Sequence, residues 1–381
     1  MKSLNTLIIT LLTFFASSVF AVAPLIPAPP QVSASSYVLM DAYTGEVLVE
    51  NNSHQELPPA SLTKLMTAYV ADYEMARGNI ALTDMVRVSE KAWRMEGSRM
   101  FIREGTRVQL EDLMRGIIIQ SGNDASVAVA EHVAGSEAAF VDLMNQHAQI
   151  LGLKNTHFAN STGFPADGHY SSAYDIALLS RAKIFQFPES YKMYAEKYFT
   201  FNEIRQPNRN KLLWRDKTVD GLKTGHTEEA GYCLAASAQR NGTRLIVVVM
   251  GTASDEARAA ESQKLLDYGF RYYETRKLYQ AGQVVQQGKV WGGAVDSVNI
   301  GFAQDVVVTL PKQDGEIPAT LVLNPIIEAP IAPGDVLGKV IVGSSDNIIL
   351  EQDVVALEAV EQGGFFKRLF DKIRLFFSNL F

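Results

Sequence analysis

The chain has a single cysteine, Cys233, so no internal disulfide can form and an oxidising compartment would add no staple. Cys233 sits in the apolar run Tyr232 to Ala236, where a cysteine behaves as a small buried hydrophobe rather than a reactive thiol. There is no basic excess. The formal net charge is −7 with no lysine-rich block, which argues against nucleic acid as a partner. No grouping of His, Asp and Glu has the spacing of metal ligands. There is no internal repeat. The apolar stretch Leu7 to Phe15 is too short for the about 20 residues that a bilayer span needs.

What is present is a globular balance, 47% hydrophobic and 20% charged over 381 residues, enough for two domains. Met1-Lys2, the apolar run and Val19-Phe20-Ala21 read as a secretory signal peptide over 1–21, cleaved after Ala21. A proline-rich, extended lead-in follows over 22–34. Residues 35–275 mix helical and strand periodicity, and 276–361 carry short alternating runs broken by Gly and Pro. The second region reads as a small all-β domain, a sandwich being one arrangement. Over 362–381, Phe366, Leu369, Phe370, Ile373, Phe377 and Leu380 share one helical face. Four basic residues and one acidic residue lie off that stripe, as in a helix lying in an anionic lipid surface.

Within the first region, Tyr37 to Met40 and Glu46 to Glu50 read as strands joined by Asp41 to Gly45. Helical patterns run over Ser61 to Arg77, Leu110 to Ile119, Ala125 to Val133, Glu137 to Leu151, Asp175 to Phe185 and Ala257 to Tyr273. Asn155 to Tyr174 reads as a long irregular loop, a kind of segment that is often functional. Thr218 to Ser237 and Thr243 to Thr252 read as paired strands around the turn Gln239-Arg240-Asn241-Gly242.

Three short motifs occur in order: Ser61-Leu62-Thr63-Lys64, Ser121-Gly122-Asn123 and Lys223-Thr224-Gly225. Each is weak alone. Ser180-Arg181-Ala182-Lys183 repeats the first pattern, and Ser297-Val298-Asn299 and Ser345-Asp346-Asn347 repeat the second. Ser61 stands at a helix start, where a serine is often only an N-cap. The same position offers free backbone N–H groups and a positive dipole end to a forming alkoxide. Lys64 is on the same helix face, and acts as a base only if desolvation and a second cation, for which Lys223 is the candidate, lower its pKa. Ser180 falls inside a helix, so its pair keeps the ordinary structural reading. Ser121 can relay a proton to a leaving amine, and Asn123 can hold the lysine and a substrate backbone. Lys223 and Thr224 can grip a terminal carboxylate, while Gly225 on an edge strand lets an extended peptide approach.

Together with Asp220-Gly221-Leu222-Lys223-Thr224-Gly225-His226-Thr227, these motifs closely resemble the low-molecular-mass penicillin-binding proteins, D-alanyl-D-alanine carboxypeptidases of the type 5 and 6 group. The likeness also takes in Leu153 to Phe158, Asn208 to Trp214, the β-domain and the amphipathic tail. It implies an α/β (α+β) transpeptidase-like domain, in which helices flank a central antiparallel sheet, followed by the β-domain and the tail helix. It also implies that Ser61 forms an acyl-enzyme with wall pentapeptides, with Lys64 as base. The backbone N–H groups of Ser61 and His226 would form the oxyanion hole. Arg258 and Arg209 match positions near the carboxylate-binding end, and no cofactor is implied. The implied partners are peptidoglycan stem peptides, β-lactam antibiotics and a membrane surface, at the periplasmic face of the inner membrane.

One rival is set aside and two alternatives stay open. A class A β-lactamase would carry a Glu, then two residues, then Leu-Asn, and no such run occurs. A D,D-endopeptidase on wall cross-links would use the same cleft. A non-catalytic wall-binding protein would not need the intact Ser61, Lys64, Ser121, Asn123 and Lys223.

Overall fold

The computed structural model describes residues 26–344 and 346–378; the expected signal segment, Ser345 and Leu380 lie outside them. The first domain is built on a five-stranded sheet of β1 (Ser36–Asp41), β2 (Val47–Asn51), β3 (Val219–Thr227), β4 (Gly231–Arg240) and β5 (Thr243–Thr252). Its spatial order is β2-β1-β5-β4-β3 and every pairing is antiparallel, which places β3 on an edge. The sequence from Leu245 to Met250 is continuously apolar because both faces are covered. Ile246, Val248 and Met250 join one core with α1 (Lys64–Ala76), α2 (Asn123–Ala134), α3 (Glu137–Ile150) and α4 (Ala173–Gln186). Leu245, Val247 and Val249 join the other, under α5 (Asp255–Tyr272).

The expected strand from Thr218 to Ser237 is in fact two, β3 and β4, turning at 228–230. A strand of that length would span about 66 Å at 3.3 Å per residue, more than this sheet is wide. The other long expectations match the observed elements to within two or three residues, except that the helix from Leu110 becomes a π-helical turn at Gly116–Gln120. The lead-in also does more than expected. Ile26 and Val32 pack against the second core, and Tyr268 donates its hydroxyl to the Pro27 carbonyl at 2.8 Å.

From Tyr273 onward the chain is strands around a separate core that includes Ile300, Val308, Val340 and Val354. A five-stranded antiparallel sheet and a two-stranded one form it, and Thr44–Thr309 hydroxyl contact at 2.6 Å ties it to the first domain. The chain ends in α6 (Phe365–Ser378). Lys367 meets Asp296, and Asp371 accepts the Gly292 N–H at 3.0 Å, so polar contacts hold α6 on the β-domain. Its apolar residues point outward: Phe366 is 73% exposed and Phe370 62%.

Leu39 lies fully buried in β1 against α5, beside Gly269. Leu39→Ala should therefore lower the stability of the first domain by about 2–5 kcal/mol, read as a drop in its unfolding midpoint in urea. A change within the error of that midpoint would contradict this packing.

Candidate active site

The three motifs converge on one cavity of about 830 Å³. Ser61, Ser121, Asn123, Thr224, Gly225, His226, Arg209 and Arg258 line it. Ser61 lies in a 3₁₀ turn, Ala60–Thr63, that runs into α1. Its hydroxyl caps nothing, so the N-cap alternative fails. Ala60 just before it holds a left-handed φ of 46°, and the Gly163 loop presses on it so closely that a Cβ there would collide with the Ala60 carbonyl.

Lys64 is fully buried. Its Nζ lies 3.0 Å from Ser61 Oγ, 2.7 Å from Asn123 Oδ1 and 2.5 Å from the Thr162 carbonyl. A neutral amine has two N–H donors and one lone pair. With both donors taken by Asn123 and Thr162, the lone pair faces the Ser61 hydroxyl, which can then donate to it. Burial is the main reason that the pKa of Lys64 falls to about 7, and the Arg209 charge adds to the fall. Arg209 is the cation that acts on Lys64, while Lys64 and Lys223 repel each other and the effect falls on Lys223.

Asn123 cannot flip, because its Nδ2 donates to the Glu96 carbonyl at 2.7 Å. The neighbouring Asp124 is buried and accepts N–H groups from Met100, Phe101 and Ile102, pinning the segment that follows Gly97 and Ser98 of the cavity wall. Ser121 caps the π-helical turn with a left-handed φ of 67°. That strained corner aims its hydroxyl at Lys223 Nζ, 2.9 Å away.

Lys223 itself is buried behind Ser121 and also donates to the Thr224 carbonyl at 3.0 Å. Burial holds its pKa well below the ordinary lysine value, and the charges of Lys64, Arg209 and Arg258 push the same way. Thr224, Arg209 and Arg258 line the cavity on this side, and the buried Lys223 does not. Arg258 donates to the Gly225 carbonyl at 3.0 Å, fixing the end of β3. Gly225 lies against the Ser61 turn, where a Cβ would meet the Pro59 carbonyl at 3.0 Å and Leu62 N at 3.3 Å. His226 is exposed and stacks on Tyr232 at 4.0 Å.

Sequence reasoning missed the Thr162 carbonyl, Asp124 and His169. His169 Nδ1 accepts the Ala159 N–H, so its Nε2 carries the proton and donates to Thr63 Oγ1 at 2.8 Å. Burial drops its pKa to about 4, which keeps it neutral. The only advance signal was the length of the 155–174 loop. The decoys separate cleanly. Lys183 is buried in an ion pair with Asp72, and Ser180 Oγ donates to the Ile176 carbonyl. Ser297 and Asn299 sit on a strand of the β-domain. Cys233 is buried, and burial raises its thiol to about 11. Among the described residues no cluster of His, Cys, Asp and Glu is placed to hold a metal ion.

A serine hydroxyl against a buried, near-neutral lysine amine, beside the edge strand of an antiparallel sheet, defines a serine–lysine acyl-transfer hydrolase. The chain belongs to the D-alanyl-D-alanine carboxypeptidase family, whose model matches residues 23–254. A model of the penicillin-binding protein 5 C-terminal domain matches residues 273–362. The chain is 43% identical to D-alanyl-D-alanine carboxypeptidase DacA of Escherichia coli (strain K12), over 97% of this chain and 95% of that one. It is also 43% identical to DacA of Haemophilus influenzae, over 99% of each. The crystal structure of penicillin binding protein 5 from Haemophilus influenzae superposes with a TM-score of 0.83, covering 88% of this chain and all of that one.

Because the neutral amine of Lys64 is the competent form, acylation should rise with pH, about tenfold per unit below 7, and level off above it. The second-order rate of β-lactam acylation from pH 5 to 9 checks this. A rate that is flat or falls across pH 7 would remove Lys64 as the base.

Proposed function

We propose that this protein is a serine D-alanyl-D-alanine carboxypeptidase that removes the terminal D-alanine from peptidoglycan pentapeptides through an acyl-enzyme on Ser61. The arrangement of Lys64 carries the reading: its pKa is near 7, and its lone pair faces Ser61 Oγ. Lys64 Nζ takes the Ser61 proton as Oγ attacks the carbonyl between the two D-alanines. The backbone N–H groups of Ser61 and His226 receive the oxyanion. The C–N bond breaks, and Lys64 or Ser121 returns a proton to the leaving amine. Lys223, in contact with Ser121, favours that transfer. Water, deprotonated by Lys64, then cleaves the ester and frees Ser61. Thr224, Arg209 and Arg258 supply donors and positive charge for the terminal carboxylate. Penicillins would acylate the same serine.

The place of action follows from the two ends. We read 1–21 as a secretory signal that delivers the enzyme to the periplasm, and α6 as a peripheral anchor on the inner membrane. No helix among the described residues is long and apolar enough to cross a membrane. The outward-facing phenylalanines of α6, flanked by cations, suit a helix lying in a lipid surface.

Ser61→Ala should abolish D-alanine release from a peptide ending in D-Ala-D-Ala, together with covalent penicillin labelling. Labelling that persists on this variant would sink the nucleophile assignment. Removing residues 363–381 should shift the protein from the membrane fraction to the soluble one with peptide cleavage intact. A truncated protein that still sediments with membranes would contradict the anchor reading.

A further inference from the structure

The cleft's wall continues onto an exposed aromatic ledge that peptide hydrolysis does not use. Two short strands, Tyr198–Phe201 and Ile204–Pro207, form a hairpin in which Tyr198 pairs with Pro207, a residue of the cavity wall. Trp214 lies one helical turn beyond Lys211, which lines the same cavity, and its N–H donates to the Lys211 carbonyl. The two rings meet edge to face, with centroids 5.9 Å apart. Tyr198 is 45% and Trp214 41% exposed. Arg205 stacks 3.9 Å over Tyr198, and Lys197 lies 6.0 Å from the Trp214 ring. Among the described residues neither cation has a carboxylate partner within ion-pair distance, so both are free to meet an external anion.

We propose that Tyr198, Trp214, Arg205 and Lys197 form a docking surface for the glycan-linked wall polymer that carries the stem peptide. The proposal rests on the carboxypeptidase reading. The C–H faces of pyranose rings are apolar and suit exposed aromatic faces, as indole and phenol rings present a large, rigid apolar area with a polar edge. The unpaired cations meet the free carboxylates of neighbouring stem peptides. Continuity with the cleft through Pro207 and Lys211 makes this polymer the occupant, since a peptide bound at Ser61 remains tethered to its strand.

Binding is read with the full chain carrying Ser61→Ala, by cosedimentation with purified peptidoglycan sacculi. Adding Tyr198→Ala with Trp214→Ala should weaken it about tenfold, the worth of one or two aromatic contacts. Arg205→Glu with Lys197→Glu, exposed changes that spare the core, should do the same. With Ser61 intact, each double variant should raise KM for polymeric peptidoglycan and leave kcat/KM for a free tripeptide ending in D-Ala-D-Ala unchanged. Unaltered sacculus binding, or equal losses on tripeptide and polymer, would overturn the proposal. Absence of D-alanine release from either substrate would refute the carboxypeptidase reading, and sacculus binding would still decide for or against the ledge.

Discussion

Everything in the first domain serves one nitrogen, Lys64 Nζ, held without a carboxylate partner in a buried site. An isolated ammonium is costly to bury, and the usual remedy is an acidic partner or loss of the proton. The molecule buries two lysines, each closing a Ser-x-x-Lys run, and burial lowers the pKa of both. Lys183 has Asp72 against it. Lys64 has only neutral acceptors, Asn123 Oδ1 and the Thr162 carbonyl, and loses its proton near pH 7. The single buried carboxylate nearby, Asp124, is occupied by backbone N–H groups of the Met100 to Ile102 segment. Its charge still opposes the fall of the Lys64 pKa, but burial outweighs it.

The same arrangement sets the polarity of the whole cleft. Lys64, Lys223, Arg209 and Arg258 crowd one region, and the depressed lysine values reflect that crowding as well as burial. A terminal carboxylate entering among these cations relieves their mutual repulsion. Substrate binding and the protonation state of the lysines are therefore coupled, since an anion beside Lys223 favours its charged form.

The parts of this site that were legible in the sequence are those carried by side chains. Ser61, Lys64, Ser121, Asn123 and the strand from Lys223 to His226 stand in motifs whose residue types state their chemistry. The loop from 155 to 174 was readable as a functional segment, but not the contact it makes, because Thr162 acts through its carbonyl and any residue supplies one. The left-handed φ of Ser121 was hidden for a related reason. Non-glycine residues rarely adopt it, and it is held by bonds from the Ser121 and Gly122 N–H groups to the Gly116 carbonyl, from the Asn123 N–H to the Ser98 carbonyl and from Lys223 Nζ to Ser121 Oγ. The break between β3 and β4 went unseen because Ala230 and Gly231 sit in an otherwise strand-like run, and pairing with neighbours on both sides decides where such a run folds.

Depth then divides labour within the cleft. The buried groups can meet only what reaches Ser61, and their geometry is fixed by core packing. Residues farther out, on the hairpin before Pro207 and on the helical turn after Lys211, are free of that packing and retain exposed rings and unpaired charge. A group buried for catalysis cannot also sample a bulky polymer, and a group exposed to polymer cannot have its pKa shifted far by desolvation. The short stretch Asn208 to Lys211 lines the cavity and carries the exposed rings on either side of it, so that the rim is joined directly to the wall of the reacting site.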